Sequence, residues 1–167
     1  TGGLSAGIST NNFTVNMSSG TVNTDFLSVG DGTRIGVFNH SGGTINIIGK
    51  LTINPSCSYI CTNSPSINIK GNWINYGTYT RASETVTFNG TSAQSVSNAT
   101  TFNNIVVATG SKLNLNTFTH TANRLTMGGF GTPSGSHGST TSTATYKNNT
   151  YFTPTTGIIN VTNGTCS

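Results

Sequence analysis

Six side chains of this 167-residue chain could move a proton at ordinary pH: Asp25, Asp31, Glu84, His40, His120 and His137. Glycoside hydrolysis needs two carboxylates facing each other across a cleft. Asp25 and Asp31 are close in sequence, but Asp31-Gly32 reads first as a turn. Each histidine stands singly in a Thr- and Ser-rich setting, as surface imidazoles commonly do. There is no G-x-S-x-G elbow, and no cluster of carboxylates beside a base. The expectation is a protein that is not an enzyme. No residue is assigned as catalytic, metal-ligating or cofactor-binding, and no cofactor is expected.

Cysteine chemistry is next. Cys57, Cys61 and Cys166 are odd in number, which allows one bridge and leaves one thiol over. Cys57 and Cys61, in NPSCSYIC, are the disulfide candidates. In an extended strand their Cα atoms would lie roughly 13 Å apart, beyond disulfide reach. A turn, which Pro55 favours, would bring them together, and the alternative is three unpaired thiols. Cys166 is the candidate free or inter-subunit thiol. Trp73, Tyr76 and Tyr79 are candidates for stacking on sugar rings. They are three apart, so they do not share one face of a straight strand, and burial rewards Trp most. A buried Trp73 with the tyrosines outside it is the favoured reading. Eight N-x-[S/T] sequons offer glycosylation sites: Asn12, Asn16, Asn39, Asn89, Asn98, Asn148, Asn160 and Asn163. T-x-T units such as Thr78-Tyr79-Thr80 and Thr85-Val86-Thr87 would suit an ice-binding face only at one repeating register, and here the register varies.

Composition bounds the rest. Charged residues make up 6% of the chain, against roughly 25% in ordinary domains, and hydrophobic residues a low 32%. Gly, Ser, Thr and Asn fill 95 of the 167 positions. Disordered chains are usually rich in charge and Pro; this one is poor in both. The net charge is +4, but its seven Lys and Arg are scattered singly. A nucleic-acid interface would gather them into a patch, so none is expected. No apolar run approaches the roughly 18 residues of a membrane span. The chain opens at Thr1, and a mature or excised segment whose leader has gone is expected.

The elements that must carry these residues are strands. Period-two alternation runs through the chain, and no stretch shows a helical stripe. INIIGKLTI (45–53) set over INIKGNWIN (67–75) repeats at an offset of 22. Val86, Ile105 and Leu125 continue the pattern at about 19–20, and Leu27 lies about 18 before Ile45. A period of 18–22 residues predicts a parallel β-solenoid, in which each coil buries its neighbour's apolar side chains. The alternative is an antiparallel β-sandwich. Against it, Asn89-Gly90 and Asn163-Gly164 are the nearest approach to hairpin dyads. The expected layout is a solenoid over 1–127, a Gly/Ser/Thr-rich loop over 128–147, and terminal strands over 148–167. Those last strands would cap the rod or reach into another subunit.

GNWINYGTYT (71–80), TVTFNGTSAQSVS (85–97) and TTFNNIVVATGSKLNLN (100–116) resemble a repeat of secreted surface proteins of Bacteroidetes. GSTTSTATYKNNTYFTPTTGIINV (138–161) is similar to a block that follows such repeats. Together these stretches cover about two-thirds of the chain. The resemblance implies an exported, cell-surface β-helical protein, often part of an adhesin, with no catalytic set to carry over. The chain departs from that pattern at Thr165-Cys166-Ser167, where no sorting domain follows. The functional expectation is an extracellular structural or adhesive protein. Its partner would be itself, assembled head to tail into a filament or surface layer. The alternative is a module that binds cell-surface glycans; an ice-binding protein ranks third.

Overall fold

An apolar side chain at every second position has nothing to bury it within its own turn of chain, so the next turn must do so. The computed structural model describes residues 2–6 and 12–165, and over these the chain winds as a parallel β-solenoid with no helix. The first turn carries β1 (Leu4–Ala6), β2 (Phe13–Met17) and β3 (Thr21–Thr24). The second carries β4 (Leu27–Val29), β5 (Gly36–His40) and β6 (Thr44–Ile47). The third carries β7 (Leu51–Ile53), β8 (Ser58–Cys61) and β9 (Ser66–Ile69). The fourth carries β10 (Trp73–Asn75), β11 (Thr78–Thr80) and β12 (Thr85–Phe88). Two-strand turns follow: β13 (Gln94–Ser97) with β14 (Thr101–Val107), then β15 (Leu113–Asn114) with β16 (Thr119–Met127).

Stacking these turns makes three sheets. One runs β1-β4-β7-β10-β13-β15, a second β11-β8-β5-β2, and a third climbs from β3 through β6, β9, β12 and β14 to β16. The third sheet holds an inward ladder of Ile45, Ile67, Val86, Ile105 and Leu125, each in register with the next and each almost fully buried. Leu27, Leu51, Trp73 and Val96 form the matching ladder of the first sheet. The second sheet lines its ladder with rings: Phe38 stacks on Tyr59 at 5.1 Å, and Tyr59 meets Tyr79 at 5.8 Å. Each such side chain contributes about 1.5–3 kcal/mol through burial. The sandwich alternative is not formed: among the described residues every pairing between successive turns is parallel.

The spacing is wider than expected at the start and narrower later. Val22 pairs Ile45 and Leu27 pairs Leu51, whereas Ile67, Val86 and Ile105 follow at 19. The step from Ile67 to Val86 is already 19 although that turn still carries β11; the turns after it omit the second-sheet strand. Leu27 and Ile45, aligned in the sequence reading, belong to different sheets. Corners use Asn in the left-handed region: Asn63, Asn98 and Asn116 have φ of 56°, 63° and 54°. Their amides donate to carbonyls of the turn before, Asn98 to Asn75 O at 2.6 Å and Asn116 to Val96 O at 3.0 Å.

Residues 128–147, expected as a loop, carry three short strands: β17 (Phe130–Gly131), β18 (Gly135–Gly138) and β19 (Tyr146–Lys147). Gly128 and Gly129, both at positive φ, make a two-residue hairpin from β16 into β17. The last strand, β20 (Ile158–Val161), lies parallel on β16 of the same chain, and β18 lies antiparallel on β20. Backbone bonds from Leu113 N–H to Tyr151 O and from Thr153 N–H to Leu113 O, each 2.8 Å, cover β15. The C-terminal ends of the first and third sheets are thus covered by the same chain, while the second sheet stops at β11. At the other end β1, β2 and β3 each form a sheet edge.

Candidate functional site

The residues with acid–base chemistry are dispersed and held in structural bonds. Asp31 closes its own turn: it accepts from the Thr33 amide at 2.9 Å, the Thr33 hydroxyl at 2.7 Å and Arg34 Nη1 at 3.2 Å. The Thr33 hydroxyl chiefly holds its carboxyl below the ordinary 3.8. Asp25 stands at the corner before β4 and Asp31 just after it. Glu84 is fully buried, and its carboxylate ties two turns together. It accepts from Ala82 N–H at 2.7 Å and from Asn103 N–H of the next turn at 2.7 Å. Among the described residues no three His, Cys, Asp or Glu side chains are grouped to hold a metal.

The histidines are not the surface groups expected. His40, His120 and His137 are at most 1% exposed. His40 Nδ1 meets Tyr59 Oη at 2.8 Å inside the second sheet. His120 Nδ1 accepts from the Thr100 amide at 3.4 Å. Burial lowers both to about 4, so both are neutral at pH 7. His137 Nε2 donates to Pro133 O at 2.9 Å. All three occupy inward parity in their strands, beside Phe38, Ala122 and Ser139 respectively. That parity was the available signal.

The disulfide between Cys57 and Cys61 is not made. Both are free and buried. The turn expected between them instead precedes them: Cys57 N–H donates to Asn54 O at 3.1 Å, with Ser56 at φ 63°. From there the chain is extended, so Cys57, Tyr59 and Cys61 all point inward. Cys57 Sγ donates to Arg34 O at 3.1 Å, and Cys61 Sγ lies 3.6 Å from Tyr79 Oη. Burial pushes the Cys61 thiol up to about 12. Cys166 lies outside the described residues.

The Trp73, Tyr76 and Tyr79 platform is not assembled either. Trp73 is 0% exposed and packs edge-on against Tyr79 at 4.9 Å and Phe102 at 5.1 Å. Tyr79 joins the core; Tyr76 alone is exposed, at 59%. Of the sequons, Asn12, Asn16 and Asn163 are exposed, and Asn39, Asn89, Asn98, Asn148 and Asn160 half-buried. Several are rungs of amide ladders: Asn39 Nδ2 donates to Asn16 Oδ1 at 2.8 Å, and Asn163 Nδ2 to Asn123 Oδ1 at 2.7 Å. Thr21 stacks on Thr44 and Thr101 on Thr121, but among the described residues the Thr85-Val86-Thr87 unit is not repeated in register, because Thr87 stacks between Asn68 and Val106.

Three surface features remain. The first is the open edge of β1, β2 and β3, strands that contain no charged residue. The second is a groove of about 440 Å³ on the third sheet, lined by the ladder Asn23, Asn46 and Asn68 with Ile48, Lys70 and Asn89. Its rungs bond to one another at 2.8 Å. The third is a cleft of about 520 Å³ in the C-terminal cap, where Phe130, Tyr146 and Tyr151 converge with His137 and Lys147. The sequence reading passed over it; the signal was Met127-Gly128-Gly129-Phe130, a hairpin dyad between apolar residues. No protein-family model, curated protein or solved structure matches this chain.

Proposed function

We propose that this chain is an extracellular structural and adhesive β-solenoid that works without catalysis, by adding β-edges to its open N-terminal end. The observation that carries this reading is the asymmetry of the stack. One end is closed by β18, β20 and the 151–153 segment. At the other, among the described residues, the outer backbone groups of β1, β2 and β3 have no strand partner, and these strands hold none of the charges or prolines that blunt natural edges. The fate of the candidate catalytic groups supports the same reading, since Glu84, His40 and His120 bond one turn to another and Asp31 is engaged in closing its own corner.

With one end closed, two copies meeting at their open ends complete a pair and stop. A heterologous contact would be needed for the head-to-tail filament that was the expectation from the sequence. Sedimentation velocity over a concentration series tests this. The expected result is a reversible monomer–dimer equilibrium. Phe13 N–H donates to Ile35 O of the second turn, so the Thr14 N–H points to the open side. Thr14→Pro removes that donor without touching the internal ladder and is expected to weaken the dimer by about tenfold, the loss of one or two backbone bonds. A chain that stays monomeric at high concentration would overturn the proposal.

A further inference from the structure

We infer that the cleft in the C-terminal cap is a glycan-binding site that takes a pyranose ring, preferably one bearing a carboxylate. This goes beyond the edge contact proposed above and lies at the opposite end of the molecule. The cleft is a built feature. The Gly128-Gly129 hairpin turns Phe130 outward, where it is 70% exposed. Gly128, at φ 59°, leaves room for the Tyr151 hydroxyl, which a Cβ there would displace. Tyr146 is 41% exposed, and His137 stacks on it at 4.8 Å with the rings 20° from parallel. His137 is itself fixed by its bond to Pro133 O, and its other nitrogen, Nδ1, is a buried acceptor with no partner. An exposed phenol ring is therefore held rigid before any ligand arrives, which lowers the cost of binding.

The polar groups around these rings fit a sugar better than a wholly apolar ligand. Asn148 Oδ1 accepts from the Thr150 and Tyr151 amides at 2.8 and 3.4 Å, which orients the side chain and leaves Nδ2 to donate. The Thr145 hydroxyl sits on the same wall, tied to Ser136 Oγ at 3.2 Å. A pyranose presents a C–H face to aromatic rings and hydroxyls at its rim to amides and hydroxyls. The volume lies within the range of small-ligand sites. Among the described residues lining the cleft Lys147 carries the only formal charge, hence the preference for a ring-borne carboxylate.

Isothermal titration of the whole chain with chitotriose, cellotriose, mannotriose and trigalacturonate tests the site. Saturable binding is expected, tightest for trigalacturonate. Phe130→Ala, at an exposed position, is expected to weaken it about tenfold, the order of one lost aromatic contact. Lys147→Gln should remove the advantage of trigalacturonate over the neutral sugars. Tyr76→Ala, on the solenoid body, and Thr14→Pro, at the open edge, should bind as the parent does, so failure here and failure of the edge contact are told apart. Absence of binding to all four sugars overturns the inference, as does binding that Phe130→Ala leaves unchanged.

Discussion

His40 and His120 show how a titratable residue can serve a fold rather than a reaction. Both are held at about 4 by burial, below the ordinary 6.5. The unfolded chain therefore takes up protons between pH 6.5 and 4 while the folded chain does not. Their neutral forms support the fold fully above pH 6.5, and that support is lost as pH falls toward 4. The loss by about pH 4.5 is of order 2 kcal/mol per histidine, at about 1.4 kcal/mol for each tenfold change. Asp31, held below 3.8, adds its own loss only at still lower pH. Urea midpoints measured from pH 7.5 to 4.5 should fall, and the His40→Gln, His120→Gln double variant should flatten that slope even if it is weaker at neutral pH. A double variant with the parent slope would assign the acid sensitivity elsewhere.

The amide ladders are the outward counterpart of the apolar ladders within. Asn46 donates to Asn23 and accepts from Asn68, each at 2.8 Å, whereas Asn23 makes only one such bond. Asn46→Ala should therefore cost about 1–2 kcal/mol, roughly twice the cost of Asn23→Ala, at about 1 kcal/mol or less per exposed bond. Equal thermal or urea stabilities for the two variants would contradict a ladder that acts rung by rung. Much of this arrangement was legible in the sequence, because Ile45, Ile67, Val86, Ile105 and Leu125 recur at a period that stacking enforces. The second sheet was not. Cys57 and the Tyr59 and Cys61 of its strand β8 lie on one face, and the nearby Pro55 belongs to a turn that ends before the strand begins. Strands β17 to β19 within the cap were not legible, for a different reason. Its packed residues are His137, Ser139, Ser142 and Ala144, buried through bonds such as Ser139 Oγ to Thr155 O at 2.7 Å. No hydrophobic pattern announces burial achieved that way. The glycan cleft shares that fault, because Phe130, Tyr146 and Tyr151 converge only after the hairpin and cap have folded.

At the scale of the molecule, a stack of turns behaves as a nearly one-dimensional object, each turn stabilised by those on either side. Interior turns have two neighbours. β9 lies between β6 and β12, and β12 lies between β9 and β14. Among the described residues the first turn has one neighbour, and no strand lies on its other side. The last turn has the cap: β16 is paired by β14 and β20, and Glu84 and the Asn103, Asn123 and Asn163 amides add bonds running up the same corner. Opening should therefore start at one end only. Hydrogen exchange, followed on peptides at a concentration where the chain is monomeric, is expected to be fastest in β1, β2 and β3 and slowest in β9 and β12, with β16 and β20 close to the interior turns. Raising the concentration should slow exchange in β2 and β3 selectively, because edge pairing covers the groups that are otherwise unpaired. If β20 and the cap exchanged as fast as β1, the closure at that end would not stabilise the stack, and the asymmetry on which the pairing of copies depends would be lost.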